Sequence, residues 1–280
     1  MTSRPLASED IPALLYGTAW KEERTRTLTE LALRAGFRGV DTANQRKHYF
    51  EAEVGAAVRA ALGAGSVRRN ALFLQTKFTF AAGQDHRLPY DAGASVATQV
   101  QQSFASSLEH LGTETVDSYL LHGPSVRHGL ARDDWEAWRA MEALASDGKA
   151  RSLGVSNVSV EQLEELFGGA TVKPRFVQNR CYARTGWDRD VRAFCREHGV
   201  VYQAFSLLTA NSRELKSSVM RELARRTGRP SEQLVFAFAI RSGMLPLTGT
   251  SNLEHMQLDL AAADVELERG DLMALETIAE

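Results

Sequence analysis

The segment Thr27–Asp41, TLTELALRAGFRGVD, holds one complete helix-and-strand unit. Its apolar residues recur at helical spacing and predict one buried helix face, formed by Leu28, Leu31, Ala32 and Ala35. Thr27 and Glu30 have the spacing of a capping box, which predicts that the helix starts there. Gly36 is a typical helix end. The run Phe37–Asp41 that follows is short and largely apolar, which predicts a buried parallel strand.

Outward from this unit, the same alternation of short apolar runs and helical patterns fills the chain. Eight runs are predicted as strands: Leu14–Thr18, Phe37–Asp41, Leu72–Lys77, Val116–His122, Ala150–Ser156, Arg175–Gln178, Val200–Phe205 and Met244–Leu247. Eight such units predict an α/β fold, a closed (β/α)8 TIM barrel that forms a single domain over residues 1–280. A doubly wound sheet is the alternative, but it usually carries a Gly-x-Gly-x-x-Gly turn after its first strand. The segment Gly17–Trp20 lacks that pattern.

Charge and composition restrict the class of partner. The 280 residues include 33 basic and 35 acidic side chains, mixed along the chain, so neither nucleic acid nor an anionic membrane is expected as a partner. No run approaches the ~20 apolar residues of a membrane span, and the stretch before Gly17 lacks the pattern of a signal peptide. Two cysteines, Cys181 and Cys195, are too few for a disulfide framework. These features favour a cytoplasmic protein, and we expect a monomer.

Three consecutive predicted strands end in ionisable side chains, which are Asp41, Lys77 and His122. In a parallel barrel these ends meet at one mouth, so an acid, a base and an imidazole come together there. One polar residue at a strand end can simply meet water, but three on neighbouring strands indicate catalysis. The longest irregular segments also follow strands and are expected on the same face: Thr79–Gly93, Gly123–Asp133 and Ser206–Ser217.

Four motifs carry a family resemblance. Gly36–Ala43, GFRGVDTA, resembles the signature of aldo-keto reductases, while LFLQTK and VDSYLLHGP are similar to the strands that carry that family's catalytic Lys and His. Gly148–Asn157, GKARSLGVSN, resembles the family's nicotinamide-binding segment. The matches occur in the family's order over nearly the whole chain. The resemblance implies NAD(P)H-dependent reduction of an aldehyde or ketone to an alcohol, or the reverse oxidation.

The resemblance also implies a catalytic tetrad, carried over as Asp41, Tyr49, Lys77 and His122. Tyr49 would give its proton to the carbonyl oxygen as general acid, while the nicotinamide delivers hydride to the carbonyl carbon. The unperturbed pKa of Tyr, near ~10, is high for this task. Lys77 is therefore expected to lower the pKa of Tyr49, with Asp41 holding Lys77 charged and in place. His122 would orient the substrate oxygen.

The implied cofactor is NADPH, with NADH possible, and the implied substrate is a small carbonyl or alcohol compound. Ser156, Asn157 and Gln178 match the family's carboxamide-binding positions, and Phe205 matches the residue that stacks on the nicotinamide. Without the resemblance, these would be read as strand-end and core residues. The other expected cofactor contacts are Gly17, Thr18, Ala19, Asp41, Ser206, Leu208, Gly249, Thr250, Ser251, His255 and Asp259.

Two departures from the family pattern bear on these assignments. The family usually places its Tyr five residues after the Asp, and here that position holds Arg46. Tyr49 comes eight residues after Asp41, and His48 beside it is a second candidate for the proton donor. The segment after the last strand usually carries cations for the 2′-phosphate, but His255 is its one candidate cation. Discrimination between NADPH and NADH is therefore expected to be weak.

Other functions remain open at this point. The shifted Tyr leaves room for a cofactor-binding regulatory subunit of the same fold that turns over poorly, and a specialised oxidoreductase of a biosynthetic pathway is also possible. A metal-dependent barrel hydrolase is disfavoured, because no His-x-x-x-His occurs and the first strand carries no His-x-His. No metal is expected.

Overall fold

The computed structural model describes residues 10–280, in which eight parallel strands close into a barrel in chain order. The strands are β1 Leu15–Gly17, β2 Gly39–Asp41, β3 Phe73–Phe78, β4 Ser118–Leu121, β5 Leu153–Ser156, β6 Phe176–Arg180, β7 Val201–Phe205 and β8 Leu245–Thr248. The predicted barrel and all eight predicted strands are confirmed, with ends that differ by a few residues. Most of the stretch on which the expectation of no signal peptide rests lies outside the described residues.

Helices surround the barrel. Within residues 10–280 they are α1 Thr25–Ala35, α2 Glu51–Gly63, α3 Val96–Leu111, α4 Arg132–Ser146, α5 Val160–Gly169, α6 Arg189–Glu197, α7 Ser218–Thr227, α8 Ser231–Arg241, α9 Leu253–Leu260 and α10 Arg269–Glu276. None of the helices in this range has both the length and the apolarity to cross a bilayer.

The start of α1 differs from the sequence prediction. The helix begins at Thr25 because a 3-10 turn, Glu22–Arg24, continues directly into it, so Thr27 lies inside the helix and caps nothing. Glu30 pairs with Arg26 one turn earlier, at 3.0 Å. The predicted end at Gly36 is correct, since this residue has a φ of 119° and closes the helix through its backbone N–H.

The barrel interior has an apolar floor and a polar layer above it. Side chains alternate along each strand, so Phe176, Gln178 and Arg180 of β6 point to the same side at successive heights. The floor is an apolar cluster inside the barrel that includes Phe73, Leu120, Phe176 and Leu245. One step higher, β2, β3, β6 and β7 contribute four polar side chains, Asp41, Gln75, Gln178 and Gln203, to one hydrogen-bonded group. The candidate site lies on this group.

Long segments follow β3, β4 and β7 at the carboxyl ends of the strands, as expected. They surround the mouth above the polar layer. At the opposite end, the apolar floor fills the barrel interior. A ligand can therefore reach the inward-facing side chains only from the mouth.

Candidate active site

Asp41 and Lys77 form a fully buried ion pair at the centre of the barrel. The Lys77 ammonium donates to both carboxylate oxygens of Asp41, at 2.6 Å and 2.7 Å, and to the Thr42 carbonyl at 2.9 Å. Burial lowers the pKa of Lys77, and the charge and hydrogen bonds of Asp41 act against that change. The predicted contact between these two residues is present. Because each charge is matched by the other, the pair presents little net charge to its surroundings.

Three glutamines, which we call the amide cluster, hold Asp41 from below: Gln75, Gln178 and Gln203. Gln75 and Gln178 each donate from Nε2 to Oδ1 of Asp41, at 2.6 Å and 3.0 Å. The same two nitrogens donate to Oε1 of Gln203, at 2.8 Å each, and Gln203 donates back to Oε1 of Gln75 at 2.8 Å. With its nitrogen committed, Gln178 retains Oε1 as its free acceptor.

Tyr49 lies over the ion pair, at the end of the loop that follows β2. Its ring centroid is 5.3 Å from the Lys77 ammonium and 5.9 Å from the centroid of the His122 ring. The structure therefore brings together all four residues of the expected tetrad. Burial raises the pKa of Tyr49 well above its ordinary value, and the charge of Asp41 raises it further. The net lowering expected from Lys77 is therefore not found, because burial penalises the phenolate and the charge of Asp41 offsets the ammonium.

Arg46, at the family's usual Tyr position, and His48, the second candidate for the proton donor, are both placed differently from Tyr49, although His48 also lines the cleft. The guanidinium of Arg46 stacks over the Phe50 ring at 3.8 Å and approaches Glu22 and Glu23 at the surface. His48 stacks on Trp20, with ring centroids 4.0 Å apart, at the rim of the mouth. Burial and Lys47 lower the pKa of His48. Tyr49 is thus the member of this loop that contacts His122 and lies over Lys77.

His122 follows β4 directly and is held from one side. Its Nδ1 lies 2.7 Å from the hydroxyl of Thr79. Burial lowers the pKa of His122 to about 3, and the Lys77 charge acts in the same direction, so the imidazole is neutral at physiological pH. If the Thr79 hydroxyl donates to Nδ1, the proton of His122 resides on Nε2, which is then a neutral hydrogen-bond donor.

The mouth opens into a cleft of about 660 Å³, within the range typical of ligand sites. Asp41, Tyr49 and His122 reach it from one side, while Lys77 lies beneath. The expected cofactor residues that line it are Gly17, Ala19, Ser156, Asn157, Gln178, Phe205, Ser206, Leu208, Gly249 and Thr250. Asn157 donates to the His122 carbonyl at 2.8 Å. This hydrogen bond connects the tetrad to the expected cofactor residues.

Four other expected cofactor residues do not line the cleft. Thr18 donates from its hydroxyl to the Asp41 carbonyl at 2.9 Å, so it supports the end of β2. Ser251 and His255 are exposed beyond β8. Asp259 is buried and accepts from the Thr248 hydroxyl at 2.7 Å, and burial raises its pKa to about 6. Ser251 and His255 therefore stay predictions, as contacts of a longer ligand that leaves the cleft.

Several residues of the site were not predicted from the sequence. Trp20, Lys21 and Arg180 line the cleft. Lys21 is buried and donates to the Gly249 carbonyl, which ties the end of β1 to the end of β8. Gln75 and Gln203 were also missed. Their signal was available, because each stands two residues before a predicted site residue, Lys77 or Phe205, and so shares its inward face.

Comparison with known proteins agrees with this geometry. Residues 14–280 match the model of the Aldo/keto reductase family. The NAD/NADP-dependent indole-3-acetaldehyde reductase of Schizosaccharomyces pombe is 28% identical over 279 residues, covering 96% of this chain and 91% of the relative. An aldo-keto reductase structure from Brucella melitensis is 26% identical with a TM-score of 0.79, covering 96% of this chain and 95% of that one.

The structure of a silkworm (Bombyx mori) aldo-keto reductase is also similar to this chain. This enzyme, solved also as a complex with NADPH, has a TM-score of 0.81 at 25% identity, over 96% of this chain and 84% of the silkworm chain. The family match spans far more than half of the sequence, and the barrel is shared. The chain therefore belongs to the aldo/keto reductase family of carbonyl oxidoreductases.

Proposed function

We propose that the protein reduces an aldehyde or ketone to an alcohol, or catalyses the reverse oxidation, with NADPH bound in the cleft and Tyr49 as the proton donor. NADH is a possible second cofactor. The observation that carries the proposal is the position of Tyr49, over the Lys77 ammonium and against His122, in the lining of the cleft. The whole described chain serves this one site as a single barrel domain.

The residues around the cleft fit a nicotinamide dinucleotide. Asn157 and Gln178 each retain an acceptor oxygen that could take the N–H groups of a carboxamide. Phe205, at the end of β7, presents an aromatic ring beside them. Lys21 supplies a cation on the far side, near Gly249. When bound, the cofactor supplies the hydride. The NAD/NADP-dependent relative and the NADPH-bound silkworm structure support this assignment.

The protein's own residues handle the oxygen and the proton. The Nε2 proton of neutral His122 would donate to the carbonyl oxygen and so place it beside the Tyr49 hydroxyl. As negative charge develops on that oxygen, Tyr49 transfers its proton to it. The phenolate that remains lies over the Lys77 ammonium, which offsets only part of the cost of burying it, until solvent returns a proton. Asp41 and the amide cluster keep Lys77 charged and fixed.

A regulatory subunit with little turnover is the weaker proposal. It was motivated by the eight-residue spacing between Asp41 and Tyr49. The longer loop nevertheless brings the Tyr49 ring within 5.9 Å of the His122 ring, so the spacing is no obstacle to catalysis. No separate observation favours a regulatory role.

Two variants test the assignment of the proton donor. Tyr49→Phe removes the hydroxyl while the ring still packs on His122, and His48→Gln removes the competing imidazole. With one activated aldehyde and NADPH, we expect Tyr49→Phe to lose on the order of 100- to 10,000-fold in kcat, and His48→Gln to retain most activity. Cofactor affinity, measured by fluorescence quenching, should be unchanged in Tyr49→Phe. If the losses are reversed between the two variants, the imidazole is the acid.

A further inference from the structure

Arg180 is the last residue of β6 and points into the mouth of the barrel. Because side chains alternate along a strand, it shares the inward face of Phe176 and Gln178. It lies one step above Gln178, roughly 7 Å further along the strand. Its register neighbour is Phe205 of β7. Arg180 thus overlooks the position at which the carboxamide-binding Gln178 and the stacking Phe205 meet.

The guanidinium of Arg180 is exposed and available to a ligand. It lies over the Phe205 ring, 5.6 Å from the centroid, and lines the cleft. No carboxylate of residues 10–280 lies within ion-pair distance of it. Contact with an aromatic face leaves the N–H groups at the edge of the guanidinium free to donate. The side chain is therefore held in place without its charge being matched.

The cleft as a whole has an excess of positive charge. Its lining contains one carboxylate, Asp41, which Lys77 already neutralises. Lys21 stands at the end of β1 and donates to Gly249, while Arg180 stands at the end of β6. The ends of β7 and β8 lie between these two cations. The segment Ser206–Thr209, which follows β7, also lines the cleft there. Such an arrangement favours an anionic group at this place.

We propose that Arg180 binds the pyrophosphate of the dinucleotide, an inference that rests on the proposed function. A phosphate oxygen and a substrate carboxylate share the chemistry that a guanidinium recognises. The place of Arg180 in the barrel decides between them. Tyr49 and His122, which would hold the substrate oxygen, follow β2 and β4. Arg180 borders Gln178 and Phe205 instead, so the group that reaches it belongs to the cofactor next to its nicotinamide end.

Cofactor affinity in an Arg180→Met variant tests this inference. Dissociation constants for NADPH and NADH are measured by quenching of tryptophan fluorescence. Loss of one exposed charge-assisted contact should weaken both cofactors by roughly tenfold, and equally, since both carry the pyrophosphate. Arg180→Lys should recover part of the affinity. Arg184→Met is the matched control, because Arg184 is also exposed and stacked on an aromatic ring, that of Tyr182 at 4.6 Å, outside the cleft lining.

Each contrary outcome has its own meaning. A loss confined to NADPH would place Arg180 at the 2′-phosphate and overturn the inference. Unchanged cofactor affinity, with a higher KM for 4-carboxybenzaldehyde but not for benzaldehyde, would make it a substrate residue and also overturn it. If neither the cofactor affinities nor the KM of either aldehyde changes, Arg180 is a solvated rim residue, and the inference is overturned as well. Failure of the wild type to bind either cofactor would instead refute the proposed function.

Discussion

At the scale of single residues, the site depends on how Asp41 and Lys77 cancel each other. An isolated ammonium beside a phenol would favour the phenolate, but Lys77 gives its hydrogen bonds to both Asp41 oxygens. Burial then dominates and keeps Tyr49 protonated. A protonated phenol is the form that reduction needs. His122 is neutral as well, since burial, together with the Lys77 charge, lowers its pKa to about 3.

This balance predicts the pH dependence of the two directions of the reaction. The raised pKa of Tyr49 means that the donor stays protonated as pH rises through the neutral range, and His122 stays neutral there. With saturating aldehyde and NADPH, kcat for reduction should be flat between about pH 6 and pH 9. Oxidation of the alcohol needs the phenolate as base, so its kcat should rise across the same interval. A reduction rate that falls severalfold by pH 9 would show that the pKa of Tyr49 is lowered after all.

Most of the site residues are predictable from the sequence, but the directions of their pKa changes are not. Asp41, Lys77 and His122 stand at strand ends, which a pattern of buried strands locates well. The direction of the pKa change at Tyr49 depends on the burial of its ring and on the Asp41–Lys77 ion pair. Both arise only when the barrel folds, so no local sequence pattern predicts them. Arg180 lacked a local signal of its own, because an arginine at a strand end is commonly a solvated surface residue.

At the scale of elements, α2 determines where Tyr49 stands. Glu51 begins this helix two residues after Tyr49, and its carboxylate accepts from the Thr76 hydroxyl of β3 and lies 3.1 Å from Nδ1 of His110 in α3. One turn later, Gly55 packs directly against the backbone of α3. A methyl group at Gly55 would fall 1.8 Å from the His110 carbonyl oxygen. The close approach of the two helices therefore requires glycine there.

Gly55→Ala should consequently destabilise the protein and disturb the site. The clash is with backbone, which cannot move aside as a flexible side chain can, so we expect a loss of about 3 kcal/mol or more. A lower thermal midpoint and a reduced kcat should appear together, because α2 must shift and carries the loop of Tyr49 with it. Gly63→Ala, in the same helix, is the control. It has open space around it and should be neutral or slightly stabilising. Equal stability of the two variants would contradict this packing.

The elements also show where sequence patterns lose accuracy. The capping-box spacing at Thr27 predicted a helix start, but the 3-10 turn at Glu22–Arg24 continues into α1 and makes that cap unnecessary. Helix ends set by glycine were more reliable, as at Gly36, because a positive φ is a strong local requirement. Strand ends shifted by a few residues, since pairing with neighbouring strands, not local composition, decides them.

At the scale of the whole molecule, the closed barrel brings distant residues into one site. Asp41 and Gln178 are hydrogen-bonded across the barrel axis although 137 residues separate them in the chain. Strand periodicity predicted the barrel, and the barrel placed the strand ends at one mouth. What the sequence did not provide was the amide cluster, because three glutamines on separate strands become partners only after the barrel closes.

Isotope transfer tests the central claim most directly. The purified protein is given an aldehyde and NADPH that carries deuterium at the transferred position of nicotinamide C4, and the alcohol is examined by mass spectrometry. We expect one deuterium on the carbinol carbon, formed at a rate that Tyr49→Phe lowers by on the order of 100-fold or more. Alcohol formed without deuterium, or no cofactor-dependent alcohol with any activated aldehyde despite measurable NADPH binding, would contradict hydride transfer to a carbonyl at this site.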